Sequence, residues 1–216
     1  RTDSGVHAFN QVAHFEVPTT TDLYRLRGSL NALAAPHVAV KALTPISADF
    51  HARHSATGKT YRYYLHNRPW PPLFARQRSW WIRRSLDLGA MQRAAPALLG
   101  PHDFSAFRAV GCSAKSPMRE LRRLELNPIN TVEGTLCIEL EASGFLQHMA
   151  RILVGTLVAV GEGRLAANAL GAILAARRRE GAGVTAPGQG LHLWRVFYDT
   201  QQYPELAALE AVAGQA

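Results

Sequence analysis

Asp3 is the first side chain in the sequence able to do chemistry. It lies in Arg1-Thr2-Asp3-Ser4-Gly5-Val6-His7-Ala8, with a cation two residues before it and a glycine two residues after. Thr, Asp, Ser and Gly in succession make a poor helix and a poor strand, so the segment reads as a loop. Loops held by a rigid scaffold are where catalytic side chains concentrate. The same spacing also describes an ordinary Asp-x-Gly turn, and composition alone favours the turn.

Arg151 is the second candidate. The stretch from Phe145 to Val160 carries Leu146, Met149, Ile152, Leu153, Val154, Leu157 and Val158, and is apolar around nearly its whole circumference. Such a helix is expected to be buried. A charge inside it needs a mate, because leaving one partner of a buried pair alone costs about 3–5 kcal/mol. A carboxylate from a distant segment, Asp3 among them, is one answer; snorkelling of the guanidinium to water is the other, and the pattern leaves both open. Tyr61 stands within Lys59-Thr60-Tyr61-Arg62-Tyr63-Tyr64, a mixture of aromatics and cations suited to stacking bases while holding phosphates. Tyrosines covering a core with wet hydroxyls would read the same way.

Other chemistries find little support. His51 and His54 are three apart and His7, His14 and His148 are scattered, with no His-Glu-x-x-His or Cys-x-x-Cys spacing, so no metal is expected. There is no Walker loop and no Gly-x-Gly-x-x-Gly after a strand, so no nucleotide cofactor is expected. Gly181, Gly183, Gly188 and Gly190 are irregularly spaced and read as a loop, and no nucleophile elbow supports a Ser-His-Asp site.

The elements that would position these residues mix strands and helices. Strands are expected at Gln11–Val17, Val38–Leu43, Ala56–Asn67, Trp80–Ile82 and Leu191–Tyr198. Arg119–Leu126 and Thr135–Glu141 are expected to pair antiparallel across 127–134. Thr20 and Thr21 are expected to cap a helix bearing Leu23, Leu26, Leu30 and Leu33. Further helices are expected from Asp87 to Leu99, from Phe145 to Val160 and from Leu165 to Arg179, with Pro96 a kink in the first of these. Asn67–Pro72 is the best linker. Hairpin-like neighbours favour an α+β class with a mainly antiparallel sheet and flanking helices.

Twenty-four Lys and Arg face sixteen Asp and Glu, a net charge of +8. Three of the cations are lysines (Lys41, Lys59, Lys115) and the rest arginines, which grip phosphate bidentately and stack on bases. They cluster at Arg76/Arg78, Arg83/Arg84, Arg119/Arg122/Arg123 and Arg177–Arg179. A polyanionic partner is the natural reading, against solvated faces as the alternative. Cys112 and Cys137 lack any disulfide or zinc framework and are expected to be reduced thiols in a cytoplasmic protein. The longest apolar run, Ile152–Val160, is too short to span a bilayer, so no membrane is expected. Arg1 is not a natural start, and the sequence reads as a segment lacking its beginning.

In combination, Arg1–Ala8 followed by Gln11-Val12 and His14-Phe15 resembles the signature of the tRNA pseudouridine synthase A family. The resemblance continues in order through Phe50-His51-Ala52-Arg53, Ser55-Ala56, Tyr61-Arg62-Tyr63, Asp103-Phe104-Ser105-Ala106-Phe107-Arg108, Phe145–Arg151 and Gly190-Leu191-His192-Leu193. It implies the pseudouridine synthase fold, with two α+β subdomains (1–70 and 71–216) around a central cleft, the first lacking a strand-helix-strand unit that family members carry before the opening loop. It also implies isomerisation of uridine to pseudouridine at tRNA positions 38–40 by a homodimer without cofactor. Residue by residue, Asp3 matches the catalytic aspartate and Arg1 the arginine that helps displace the target base. Tyr61 matches the tyrosine against uracil, Arg151 the basic partner of the aspartate, and Leu193 an aliphatic contact to the base. Ser4, where many members have alanine, departs from the pattern, as do Gly144 and His192. A non-catalytic RNA-binding or RNA-chaperone module and an unrelated hydrolase using Asp3 are the alternatives.

Overall fold

The computed structural model describes residues 2–130 and 134–207. The chain forms two compact units: residues 1–11 with 58–196, and residues 12–57 with 197–216.

The larger unit is built on a sheet. Its strands are β1 (His7–Ala8), β2 (Ala56–Asn67), β3 (Trp80–Ile82), β4 (Gly100–Asp103), β5 (Met118–Asn130), β6 (Thr135–Ala142) and β7 (Leu191–Tyr198). The order is β1-β7-β2-β6-β5-β4, with β3 also against β2. β2, β6, β5 and β4 pair antiparallel in succession, whereas β1 on β7 and β3 on β2 are parallel, so the sheet is mixed and mostly antiparallel. The helices are α1 (Leu23–Ala34), α2 (Leu88–Ala94), α3 (Met149–Gly161) and α4 (Ala169–Ala176). This is the α+β arrangement that the sequence predicts.

β2 explains the sheet's two faces. Tyr61, Tyr63 and Leu65 alternate toward the core and are buried, as period-two geometry requires. On the other face Arg62 Nε donates to Glu139 Oε2 at 2.7 Å, and Arg123 Nη1 donates to Glu139 Oε1 at 2.9 Å. The Arg62 guanidinium also lies 3.8 Å from the centroid of the Trp194 ring. Glu139 is thereby buried with both oxygens satisfied, which a lone carboxylate could not tolerate.

Bounds match the expectation for β2, β3 and β7 and shift elsewhere. β5 runs past Leu126 to Asn130, with a pairing irregularity between Pro128 and Asn130, where a residue without an N–H is tolerated. α2 begins after Asp87, whose Oδ1 accepts from Ala90 N at 2.8 Å. It stops at Ala94, and a 3-10 turn containing Pro96 replaces the expected last turns. α3 starts at Met149 rather than Phe145 because His148 adopts a left-handed φ of 62°. α4 is shorter than expected and ends where Arg177 takes a φ of 55°. Strands β1 and β4 were not anticipated; two to four residues are too few for periodicity to register.

In the smaller unit α1 is capped by Asp22, not by Thr20 or Thr21: Asp22 Oδ1 accepts from Tyr24 N and Arg25 N at 3.0 and 3.1 Å. Gln11–Val17 and Val38–Leu43 are not strands. Among the described residues neither has a neighbouring strand, and a strand without a ladder leaves its backbone groups unpaired. Asn31 instead bonds both backbone groups of Val40, donating at 3.1 Å and accepting at 2.6 Å. Phe50 anchors the unit, its ring 5.1 Å from those of Tyr198 and Tyr203.

Candidate active site

The opening loop is a tight turn. Asp3 O accepts from Val6 N at 3.2 Å, and Gly5 sits at φ +74°, a conformation that favours glycine. The turn leads into β1, whose His7 and Ala8 lie opposite His192 and Leu193 of β7. Gly188 permits close approach from the far side: a Cβ there would come 3.0 Å from Ser4 O.

α3 supplies the other half. Every residue of this helix is buried except Arg151, so the side chain has one way out. A strap spanning residues 183–187 crosses the helix at Gly155 and Gly183, where backbone meets backbone. Gly183 N donates to Thr156 Oγ1 at 2.9 Å, and Ala186 N donates to Arg151 O at 3.2 Å. In return Arg151 Nε donates to Ala186 O at 2.7 Å, which fixes the plane of the guanidinium.

So held, Arg151 Nη1 donates to Asp3 Oδ2 at 3.4 Å across 148 residues of sequence. The pairing reading of Arg151 is the one the fold adopts. Its side chain is 15% exposed and that of Asp3 32%, so the carboxylate stays open to solvent while its partner is largely enclosed. His148 Nε2 lies 3.5 Å from the same Oδ2. Tyr61 is buried, with its ring edge-on to Phe145 at 5.0 Å. Burial, and secondarily the Asp3 charge, push its hydroxyl up to about 12, so it stays protonated at any working pH. Beside it on the same face of β2, Tyr63 donates to Pro187 O at 2.8 Å, and burial raises its hydroxyl as well. The arrangement sets a partly exposed carboxylate close enough to the buried Tyr61 for its charge to be felt there, with the cation of a buried helix beside it.

The other predicted residues are placed as follows. Arg1 lies outside the described residues. Leu193 sits on β7 opposite Ala8 and is fully buried. Of the mixed cations and aromatics around Tyr61, Arg62 is held internally by Glu139 and Trp194 rather than displayed. Arg76, Arg78, Arg83 and Arg84 are exposed, and in the same segment the backbone oxygen of Gln77 accepts from His7 Nε2 at 2.8 Å. His148 reads in the sequence only as one of several scattered histidines; its approach to Asp3 depends on a left-handed φ of 62° that no residue type signals.

The match to the family model described as tRNA pseudouridine synthase covers residues 94–199, from α2 through β7. The tRNA pseudouridine synthase A of Syntrophotalea carbinolica is 43% identical over 205 residues, covering 95% of this chain and 80% of that protein. The chain belongs to the tRNA pseudouridine synthase A family. Its relatives of that name in Rhodospirillum rubrum and Myxococcus xanthus are 41% and 45% identical, covering 99% and 92% of this chain and 74% of each of those proteins. Among the described residues no helix is long and apolar enough to cross a membrane.

Proposed function

We propose that this member of the family converts uridine to pseudouridine in the anticodon stem-loop of tRNA, at positions 38–40, with Asp3 as the catalytic carboxylate. Membership makes the chain a tRNA pseudouridine synthase, an isomerase. The observation that carries it is the 3.4 Å pair between Asp3 and Arg151. The pair sets a fixed positive charge against the carboxylate and holds it at the end of a buried helix.

In the reaction the C1′–N1 bond breaks, the uracil turns, and C5 joins C1′. C5 gives up its proton to solvent and N1 takes one up, so substrate and product are isomers. The target base leaves its stack first, at a cost of about a few kcal/mol. Arg1 assists that displacement, and Tyr61 and Leu193 contact the uracil. Phosphates on the flanks go to the exposed arginines of residues 76–84, whose contribution falls with salt. The working form is a homodimer.

Tritium at uridine C5 reports the reaction directly. Wild-type protein releases label to water from such a tRNA, and Asp3→Ala abolishes release while tRNA binding persists. Release that survives Asp3→Ala refutes the catalytic assignment. Binding by the wild type without release identifies a non-catalytic RNA-binding module instead.

A further inference from the structure

We infer that His148 is a second positioning residue for the Asp3 carboxylate, holding Oδ2 together with Arg151 so that Oδ1 is turned to the substrate. The inference rests on the reading of Asp3 as the catalytic carboxylate.

His148 holds an uncommon backbone conformation. Its φ of 62° is left-handed, a region that few non-glycine residues occupy, asparagine, aspartate and histidine more often than the rest. Arg177 is the other non-glycine residue with positive φ among the described residues. It stands at the C-terminal end of α4, where a left-handed residue is a routine helix stop. His148 stands instead at the N-cap of α3, where Ser, Thr, Asp or Asn would bond the free N–H groups, and its side chain makes no such bond. Capping does not account for a histidine there. Strain of this kind persists where the surroundings impose it, and it gathers at functional sites.

What the side chain does is reach Asp3. Nε2 lies 3.5 Å from Oδ2, the oxygen that also takes Arg151 Nη1 at 3.4 Å. Both groups come from the start of one buried helix, His148 at its N-cap and Arg151 in its first turn. Arg151 leans back toward the N-terminus, as helical side chains do, and the left-handed φ swings His148 out of the helical path to meet it. One contact to a carboxylate oxygen fixes a distance. Two contacts to the same oxygen from different residues also restrict rotation of the carboxylate plane, which determines where the second oxygen points. Reactive groups held in one orientation lose less freedom on reaching the transition state.

The test uses the full chain and tRNA labelled with tritium at uridine C5. His148→Gly and His148→Asn suit the left-handed backbone and are expected to melt at or above the wild-type temperature. They should lower kcat by roughly tenfold, the scale of one lost contact to a charged group, with KM for tRNA unchanged. His148→Gln keeps an N–H of similar reach and should recover most of the loss. Wild-type kcat in His148→Gly overturns the inference. So does a loss confined to KM, a loss that tracks a lowered melting temperature, or failure of His148→Gln to recover activity. Asp3→Ala is assayed alongside. Release by that variant brings down the reading of Asp3, whereas an inactive Asp3→Ala beside a fully active His148→Gly brings down only the role of His148.

Discussion

Gly155→Ala, a change inside α3 that touches neither Asp3 nor Arg151, is expected to damage both stability and turnover. An added Cβ at this position would sit 1.9 Å from Val184 O, well inside any real contact, and the obstacle is backbone that cannot rotate away. The strap of residues 183–187 therefore has to lift. Overpacking of this kind costs roughly 1–3 kcal/mol, while alanine for glycine in a helix returns about 0.5–1 kcal/mol, leaving a net loss on the order of 1–2 kcal/mol. The strap also carries Ala186 O and Pro187 O, the acceptors for Arg151 Nε and the Tyr63 hydroxyl. Lifting it frees the guanidinium, and displacement on this scale can reduce turnover about 100-fold. Gly171→Ala in α4 is the matched control: nothing lies within 4 Å of its Cβ, so it should stabilise the protein and leave turnover intact. All four tryptophans, at 70, 80, 81 and 194, lie in the larger unit, so urea unfolding followed by fluorescence reads the right part of the chain. Equal unfolding midpoints for the two variants would refute the reasoning.

Two further outcomes follow from burial. Desolvation, with lesser effects from His7 and Arg78, holds the His192 imidazole down at about 4, against 6.5 unfolded. The unfolded chain then binds the proton more readily, so this contribution is complete above pH 6.5 and is lost as pH falls toward 4. After discounting for solvent screening it is worth on the order of 1–2 kcal/mol, and His192→Gln should flatten the slope of melting temperature against pH between 4 and 6.5. Burial pushes the Cys137 thiol up to about 12, whereas Cys112 is only half-buried. Iodoacetamide at neutral pH should therefore label Cys112 in the folded protein and reach Cys137 only on unfolding, as peptide mapping would read.

Legibility followed the range of the interactions. Ala56–Asn67 was readable because alternation over twelve residues is a strong local signal. Asp87 was readable as a helix start because a cap acts over three residues. Gln11–Val17, which alternates, and Val38–Leu43, a short apolar run, are not strands, since a strand needs a partner as well as a pattern. The end of α2 at Ala94 and the start of α3 at Met149 turned on Pro96 and on the φ of His148, and only the proline is visible in the sequence.

By itself the sequence determined that Asp3 lies in a loop, that Arg151 interrupts an apolar helix, and, through ordered motifs, the family to which both belong. These are properties of composition and short spacing. That the guanidinium turns to Asp3 rather than to water was decided only by tertiary structure. The strap over Gly155 closes off the helix and leaves that side chain a single exit, and that exit opens on a turn 148 residues away. The approach of His148 to the same oxygen belongs to the same level, because it depends on one backbone angle that nothing in the residue types dictates.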